Sequence, residues 1–277
     1  MLGLSIVVVL YRKQHGESSS LRSLIAALGE MRDAGFAPTI YVWNNSPGFT
    51  PPLEHEAVVW LEGENVKLPI IYNQVAKSTF EAGGELLMIS DDDTDYRQYD
   101  FRKNLGLVKE FLSDAEQRQS VGCFIPKILS GGRLVSPGGR QLFRGYLLDE
   151  VASGPISAHN LLAINSATLI TRDCYERMQP LYDERLNFYG TDTEFFVRYE
   201  EFYSRIYVFD SQIDHSLSAD SKESPDRVLF RWRDNIRAMN VIFERTSFSF
   251  KLAMRAYYLL MKIKLAVRFR DRRFLQI

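Results

Sequence analysis

Asp91, Asp92, Asp93 and Asp95 place four carboxylates within five residues, directly after the apolar run Glu85-Leu-Leu-Met-Ile-Ser90. In an extended chain residues two apart point the same way, so Asp91 and Asp93 can address one ligand together. Carboxylate oxygens suit Mg²⁺ or Mn²⁺, ions that keep several waters and bridge to substrate phosphates. The same acids could form an acidic surface turn or a helix cap. The buried strand before them weighs against that, because like charges at the ligand edge of a sheet repel one another unless a cation compensates. Thr191-Asp-Thr-Glu194 reads as a capping box, with Thr191 as N-cap and Glu194 reaching back. Asp192 then lies at the first helical position, where the helix dipole favours its ionised form. An ionised carboxylate near a hydroxyl is also what a general base requires. His215 follows a strand and is either incidental or a ligand.

The elements that must position these groups follow from hydrophobic pattern. Ser5-Ile-Val-Val-Val-Leu10 is a β-branched run of strand length, and Leu21, Leu24, Ile25, Leu28 and Met31 recur at helical spacing. Gly35 ends that helix, and Pro38 to Trp43 forms a strand that stops at the turn signal Asn44-Asn45-Ser46-Pro47-Gly48. A short strand over Ala57 to Leu61, a helix over Asn73 to Ala82 and a strand over Glu85 to Ser90 complete the first part. Further on the pattern predicts a helix around Asn104 to Phe111, strands over Val121 to Ile125 and Leu161 to Thr171, a helix over Asp173 to Met178, and a strand over Ile206 to Phe209. Lys127 to Arg144 is rich in Gly, Ser and Pro and reads as a mobile loop or hairpin. Ser216 to Asp226 reads as a polar hinge, and helices follow it.

Strands apolar on both faces that alternate with amphipathic helices argue for a parallel sheet in an α/β layer fold. Such sheets place ligands at the carboxyl ends of their strands. Tyr11-Arg12-Lys13, Asn44-Asn45-Ser46 and Asp91 to Asp95 all fall at such ends. Topology alone would bring them to one edge.

A chain of 277 residues, 45% hydrophobic and 25% charged, suffices for one domain of catalytic size with an appendage. Cys123 and Cys174 make neither a disulfide scaffold nor a zinc-ligand spacing and read as buried reduced thiols, which suits the cytoplasm. Leu2 to Leu10 has no basic leader before it and is too short to cross a bilayer, so it reads as a strand. Net charge is −1, but from Asp226 onward thirteen Lys and Arg face four acids, a net of +9 that leaves −10 for the rest. A basic tail on an acidic body suggests that the tail meets an anionic surface, a membrane or a nucleic acid.

Taken in order, these segments resemble the inverting glycosyltransferases of the GT-A fold, in the family 2 branch that builds bacterial surface polysaccharides. Ser5 to Arg12 is similar to the family's first strand and loop, and Val42-Trp-Asn-Asn-Ser46 to its second strand and turn. Leu86 to Thr94 is similar to the strand leading to a DxD motif, Gly190 to Arg198 to the segment supplying the base, and Asp214-His215 to the late metal-binding histidine. The resemblance covers about residues 3–218. It implies a single Rossmann-like nucleotide-sugar-binding domain with a mostly parallel sheet over 1–218, its donor half about 1–95 and its acceptor half about 96–218. A basic helical tail over 219–277 would follow.

The resemblance further implies a UDP- or dTDP-sugar donor contacted by Leu10, Tyr11, Arg12, Asn44, Asn45, Asn73, Asp91, Asp92 and Asp93. Mg²⁺ or Mn²⁺ would be held by Asp93 and His215, with acceptor contacts from Asn165, Gly190, Thr191 and Glu194. Asp192 would deprotonate the acceptor hydroxyl, in an inverting single displacement. The family's usual Asp at the base-reading position is Asn44 here, which presents a donor as well as an acceptor. Its frequent Glu before the catalytic base is Thr191.

Between Lys251 and Val267, residues Leu252, Ala256, Leu259, Leu260, Ile263, Ala266 and Val267 share one arc at 100° per residue, with Lys251, Arg255 and Lys262 expected on the opposite side. The basic, aromatic end Arg268 to Phe274 extends the pattern of an interfacial helix on anionic lipid. Packing on the catalytic domain or against a second copy in a homodimer is the other reading. A lipid-linked oligosaccharide acceptor would suit an enzyme peripheral on the inner face of the plasma membrane. An Mg-dependent phosphatase or phosphotransferase is the rival enzyme class, but its acidic motif normally follows the first strand. A non-catalytic membrane-binding module, or a nucleic-acid binder, leaves the acidic body unexplained.

Overall fold

The computed structural model describes residues 1–214 and 224–277. Strand β1 (Leu2–Leu10) lies between β2 (Phe36–Asn44) and β4 (Leu86–Ser90), parallel to both, and β3 (Val58–Glu62) runs parallel outside β2. Because side chains alternate along a strand, Leu4, Ile6, Val8 and Leu10 enter one apolar layer and Val7 the other. Neither layer is wet, which is why the run reads as continuous β-branched sequence. Each fully buried Val or Ile there contributes about 1.5–3 kcal/mol.

On the first layer pack α1 (Ser19–Ala26), α2 (Leu28–Asp33) and α4 (Phe101–Leu112). On the second pack α3 (Leu68–Glu81), α6 (Arg172–Arg177) and α7 (Thr191–Phe202). Helix α5 (Ala115–Ser120) leads into the long strand β5 (Val121–Ser130). Beyond it come β6 (Arg133–Ser136), β7 (Gly138–Gln141), β8 (Arg144–Leu147), β9 (Gly154–Ser157), β10 (Leu161–Leu162), β11 (Thr168–Thr171) and β12 (Arg205–Asp214).

The large sheet has the order β3-β2-β1-β4-β11-β5-β12-β9, with β6 paired to β5. Among its described strands β1 to β5 and β12 run one way, and β6, β9 and β11 run against them. A mixed α/β molecule with a mostly parallel central sheet is therefore what the sequence predicts and what forms. The chain winds outward from β1 to β3 and then returns to β4 on the other side of β1. That reversal opens a crevice at the carboxyl ends of β1 and β4, where ligands of such sheets bind.

Several expectations need correction at the level of elements. The helix read over 21–31 is two, α1 and α2, meeting at Ala27. The strand read over 161–171 is β10 and β11 with a turn between them, where Ala167 adopts φ 59° and Thr168 N–H closes onto the Asn165 carbonyl at 3.0 Å. Of the two readings of residues 127–144 it is the hairpin that forms, as β6 pairs antiparallel with β5 and β8 with β7, and β10, β7 and β8 make a small second sheet.

Two helices finish the chain, α8 (Pro225–Ile242) and α9 (Phe248–Phe269), and a short 3-10 turn over Arg272–Gln276 follows. Helix α8 lies against the start of α7, where the buried Asp234 carboxylate accepts from the N–H groups of Phe188 (3.2 Å) and Tyr189 (2.9 Å). Phe143, in the β7–β8 turn, packs against Phe250, Tyr257 and Tyr258 of α9. Phe274 folds back onto Val228, Leu229 and Leu265. Cys123 and Cys174 are buried and unbridged. Among the described residues no helix is long and apolar enough to cross a membrane.

Candidate functional site

Register sets the first row of the site. Leu10 of β1 pairs with Asn44 of β2, which pairs with Glu62 of β3, so three strand ends stand side by side. Ser90 of β4 pairs with Val8, so the acids that follow it emerge beside the end of β1. The chain crosses from β1 to β2 through the Asn45 N–H, which donates to the Leu10 carbonyl at 2.8 Å, and the Arg12 N–H, which donates to Ser46 Oγ at 3.0 Å. Arg12 sits at φ 49°, and its guanidinium stacks 5.4 Å from the exposed Tyr11 ring. Asn44 is buried, accepts from the Ser46 N–H (3.2 Å) and donates to Glu62 Oε1 (3.1 Å). Asn45 faces the other way and pins residue 66, accepting from the Val66 N–H at 2.7 Å and donating to its carbonyl at 2.8 Å.

The acidic loop is held by hydroxyls at the start of α1, from its N-cap Ser18 and from Ser20. Ser18 Oγ donates to the Asp92 carbonyl at 2.7 Å, and Ser20 Oγ contacts the carbonyls of Asp91 and, at 2.9 Å, Thr94. Tyr96 OH donates to Ser90 Oγ at 2.8 Å, which tightens the turn from inside. Buried hydroxyls bonded to carbonyls fix the loop without adding charge. Of the carboxylates, Asp91 accepts from Ser166 Oγ and Asp92 pairs with Lys13 at 3.0 Å. Burial pushes the Asp92 carboxyl up and Lys13 offsets part of that. Asp93 is exposed, and Asp95 is held below the usual range by the Arg97 guanidinium.

Helix α7 brings Asp192 toward this loop. Its N-cap is Gly190 in the left-handed region at φ 85°, which corrects the capping box by one residue. Thr191 becomes the first helical residue, its hydroxyl donating to the Phe188 carbonyl at 3.3 Å. Glu194 does not reach back. It is buried, pairs with Arg198 at 2.8 Å and is pushed up to about 7 by burial, which Arg198 only partly offsets. Asp192 is partly exposed and accepts from the Thr193 N–H at 2.7 Å. Burial pushes its carboxyl up to about 6; that N–H works against the shift, while the charge of Asp91 adds to it.

The charge of Asp91 thus bears on the Asp192 carboxyl, 101 residues on in sequence, and raises it. Tyr72 of α3 lies within the same field, its phenol raised by burial first and then by Asp91, Asp192 and Asp92.

Asn165 is buried in the β10–β11 turn and accepts from Tyr182 OH at 3.2 Å. Asn73 lies elsewhere in its contacts: it donates to the Tyr182 carbonyl (2.9 Å) and Glu184 (3.0 Å) and accepts from the Tyr182 N–H (3.0 Å), tying α3 to that segment. His215 lies outside the described residues.

Comparison with solved structures places this architecture. The chain matches the crystal structure of GalNAc-T7 with UDP, GalNAc and Mn²⁺ at TM-score 0.58 and 12% identity, over 99% of this chain and 55% of that one. The chain has a GT-A-like fold. It spans about half the length of that relative. A197 from STIV is also similar, at TM-score 0.45 and 15% identity, over 79% of this chain and 87% of that one. No family model and no curated protein matches the sequence.

Within the GT-A-like sheet, the donor atoms gathered at the crevice are hard carboxylate oxygens. Among the described residues no three His, Cys, Asp or Glu side chains converge into a complete metal cage. Mg²⁺ and Mn²⁺ bind carboxylate oxygens and leave several positions to phosphates and water. Sequence reasoning placed Lys13 at this edge but not its pairing with Asp92, and it missed Ser18, Ser20, Glu62, Tyr72 and Ser166. The serine run before an apolar periodicity signals a helix start, but nothing local says that its hydroxyls reach an acidic loop some seventy residues on.

Proposed function

We propose that the protein is a metal-dependent inverting glycosyltransferase that moves a sugar from a UDP- or dTDP-sugar to a hydroxyl of a glycan, in the manner of family 2. The observation that carries this reading is the acidic loop after β4, which emerges beside the ends of β1 and β2 at the carboxyl edge of a GT-A-like sheet; the charge of Asp91 also reaches Asp192 at the start of α7. A relative of that fold is known with UDP, GalNAc and Mn²⁺ bound, which supports a nucleotide-sugar donor and a divalent ion here.

Asp93, together with His215, would hold Mg²⁺ or Mn²⁺, and the bound ion would neutralise charge on the departing diphosphate. Asn44, in the row of strand ends with Leu10, faces the base of the donor, while Tyr11 and Arg12 border the same edge. Asp91, oriented by Ser166, and Asp92, balanced by Lys13, fix the sugar and its ribose. Asp192 takes the proton from the acceptor hydroxyl as the acceptor oxygen bonds to the anomeric carbon. The bond from that carbon to the diphosphate oxygen breaks on the opposite side, which inverts the centre. Asn165, Gly190, Thr191 and Glu194 shape the acceptor side. A lipid-linked oligosaccharide is the acceptor of this reading, in surface-polysaccharide synthesis at the cytoplasmic face of the plasma membrane.

A screen of nucleotide sugars for Mn²⁺-dependent hydrolysis and transfer tests the proposal. Asp192→Asn should lower turnover by about 10²–10⁴ with donor affinity retained. Full turnover in that variant would remove Asp192 from the chemistry.

A further inference from the structure

Helix α9 carries two apolar faces where a helix packed on one domain needs one. Met254, Tyr258 and Leu265 are buried against the body of the protein. On the opposite side Phe248, Leu252, Leu259, Leu260, Ile263 and Val267 are exposed, with relative accessibilities from 46% at Ile263 to 78% at Phe248. At 100° per residue these six fall within an arc of about 120°. The arc expected from sequence is thus the outward one, and a different stripe docks the helix.

The flanks of the exposed arc are cationic on both sides, Lys251, Arg255 and Lys262 along one and Lys264 and Arg268 along the other. None of these five makes an ion pair among the described residues. Lys251, Arg255 and Lys262 also line a cleft of about 620 Å³ between α8 and α9, roomy enough for a phosphate headgroup.

We infer that this outward face of α9 is a docking surface for an anionic lipid bilayer, with the six apolar side chains entering the headgroup boundary and the flanking cations meeting lipid phosphates. Charge complementarity selects this occupant. The segment from Asp226 onward carries +9, so a second copy on the same face would bring like charges together, whereas anionic lipid neutralises them. An interfacial helix needs an apolar stripe bordered by Lys and Arg, and α9 has that in addition to the contacts that fold it. The inference does not depend on the sugar-transfer reading. A bilayer on this face would nonetheless supply the lipid-linked acceptor.

Co-sedimentation of the full chain with vesicles tests it. Wild type should pellet with vesicles of about 30% phosphatidylglycerol in phosphatidylcholine and stay in solution with phosphatidylcholine alone, at about 0.1 M salt. The double variant Leu259→Asp, Ile263→Asp should lose at least about tenfold in partitioning. Lys264→Glu, Arg268→Glu should lose at least about as much, since each cation near an anionic surface is worth about fivefold. All four positions are exposed, so each variant should unfold cooperatively at the wild-type temperature. Equal pelleting with neutral and anionic vesicles, or none with either, would overturn the inference. A dimer in light scattering that the Leu259→Asp, Ile263→Asp variant dissolves would overturn it in favour of a second copy. Asp192→Asn should bind vesicles as wild type does, so loss of transfer and loss of docking remain separable.

Discussion

Asp192 joins a structural role to a chemical one. Its carboxyl caps the first turn of α7 through the Thr193 N–H and yet is pushed up to about 6 by burial and by Asp91. A base must be ionised to accept a proton, so the sign of the pH dependence follows. Transfer should be near its maximum by about pH 7, half-maximal near pH 6 and lost as pH drops further, whereas an Asp at its ordinary 3.8 would stay ionised down to about pH 5. Initial rates at saturating donor between pH 5 and 8, with nucleotide binding as the control, check this. A rate flat down to pH 5 would mean that a different group takes the proton. At this scale the acids themselves were legible, because charge following a buried apolar strand is visible in one dimension. Their supports were not. Ser166 and Lys13 reach Asp91 and Asp92 from positions 75 and 79 residues away, and only the closed sheet brings them there.

At the scale of elements, Gly190 decides where α7 begins. Thr-Asp-Thr-Glu satisfies the capping pattern on paper, but Gly190 turns left-handed at φ 85° and lets α8 approach so closely that a Cβ at residue 190 would lie 2.6 Å from the Cβ of Ala238. Gly190→Ala should therefore destabilise the protein by about 1–3 kcal/mol, through backbone strain and overpacking together. Urea unfolding measures the change, and an unaltered midpoint would show that α7 and α8 are not packed as described. The β1, β2 and β4 strands were legible because both faces are dry and the pattern is unbroken. The break between β10 and β11 was not, since Asn165-Ser166 is a short polar interruption within an otherwise apolar run, and the chain bends there as the Thr168 N–H closes onto the Asn165 carbonyl. The join between α1 and α2 was hidden likewise, by an apolar spacing that runs through Ala27 unchanged.

For the whole molecule, the parallel winding and the basic tail were both readable from order and charge, whereas which face of α9 meets the protein required the structure. The sheet gathers Leu10, Asn44, Glu62 and the Asp91 to Asp93 loop on one edge, α7 faces Asp192 toward it, and α8 holds α7 in place through Asp234. An acidic edge of this kind should be nearly inert toward a diphosphate alone and receptive once a divalent ion is present, because like charges would otherwise oppose binding. Isothermal titration of the full chain with UDP and with dTDP, in Mn²⁺ and in EDTA, measures this directly. Binding of at least one nucleotide in Mn²⁺, absent in EDTA and lost in Asp93→Ala, is the expected result. Failure of both to bind in Mn²⁺, or binding that neither EDTA nor Asp93→Ala weakens, would contradict a metal-dependent nucleotide-sugar site at this edge.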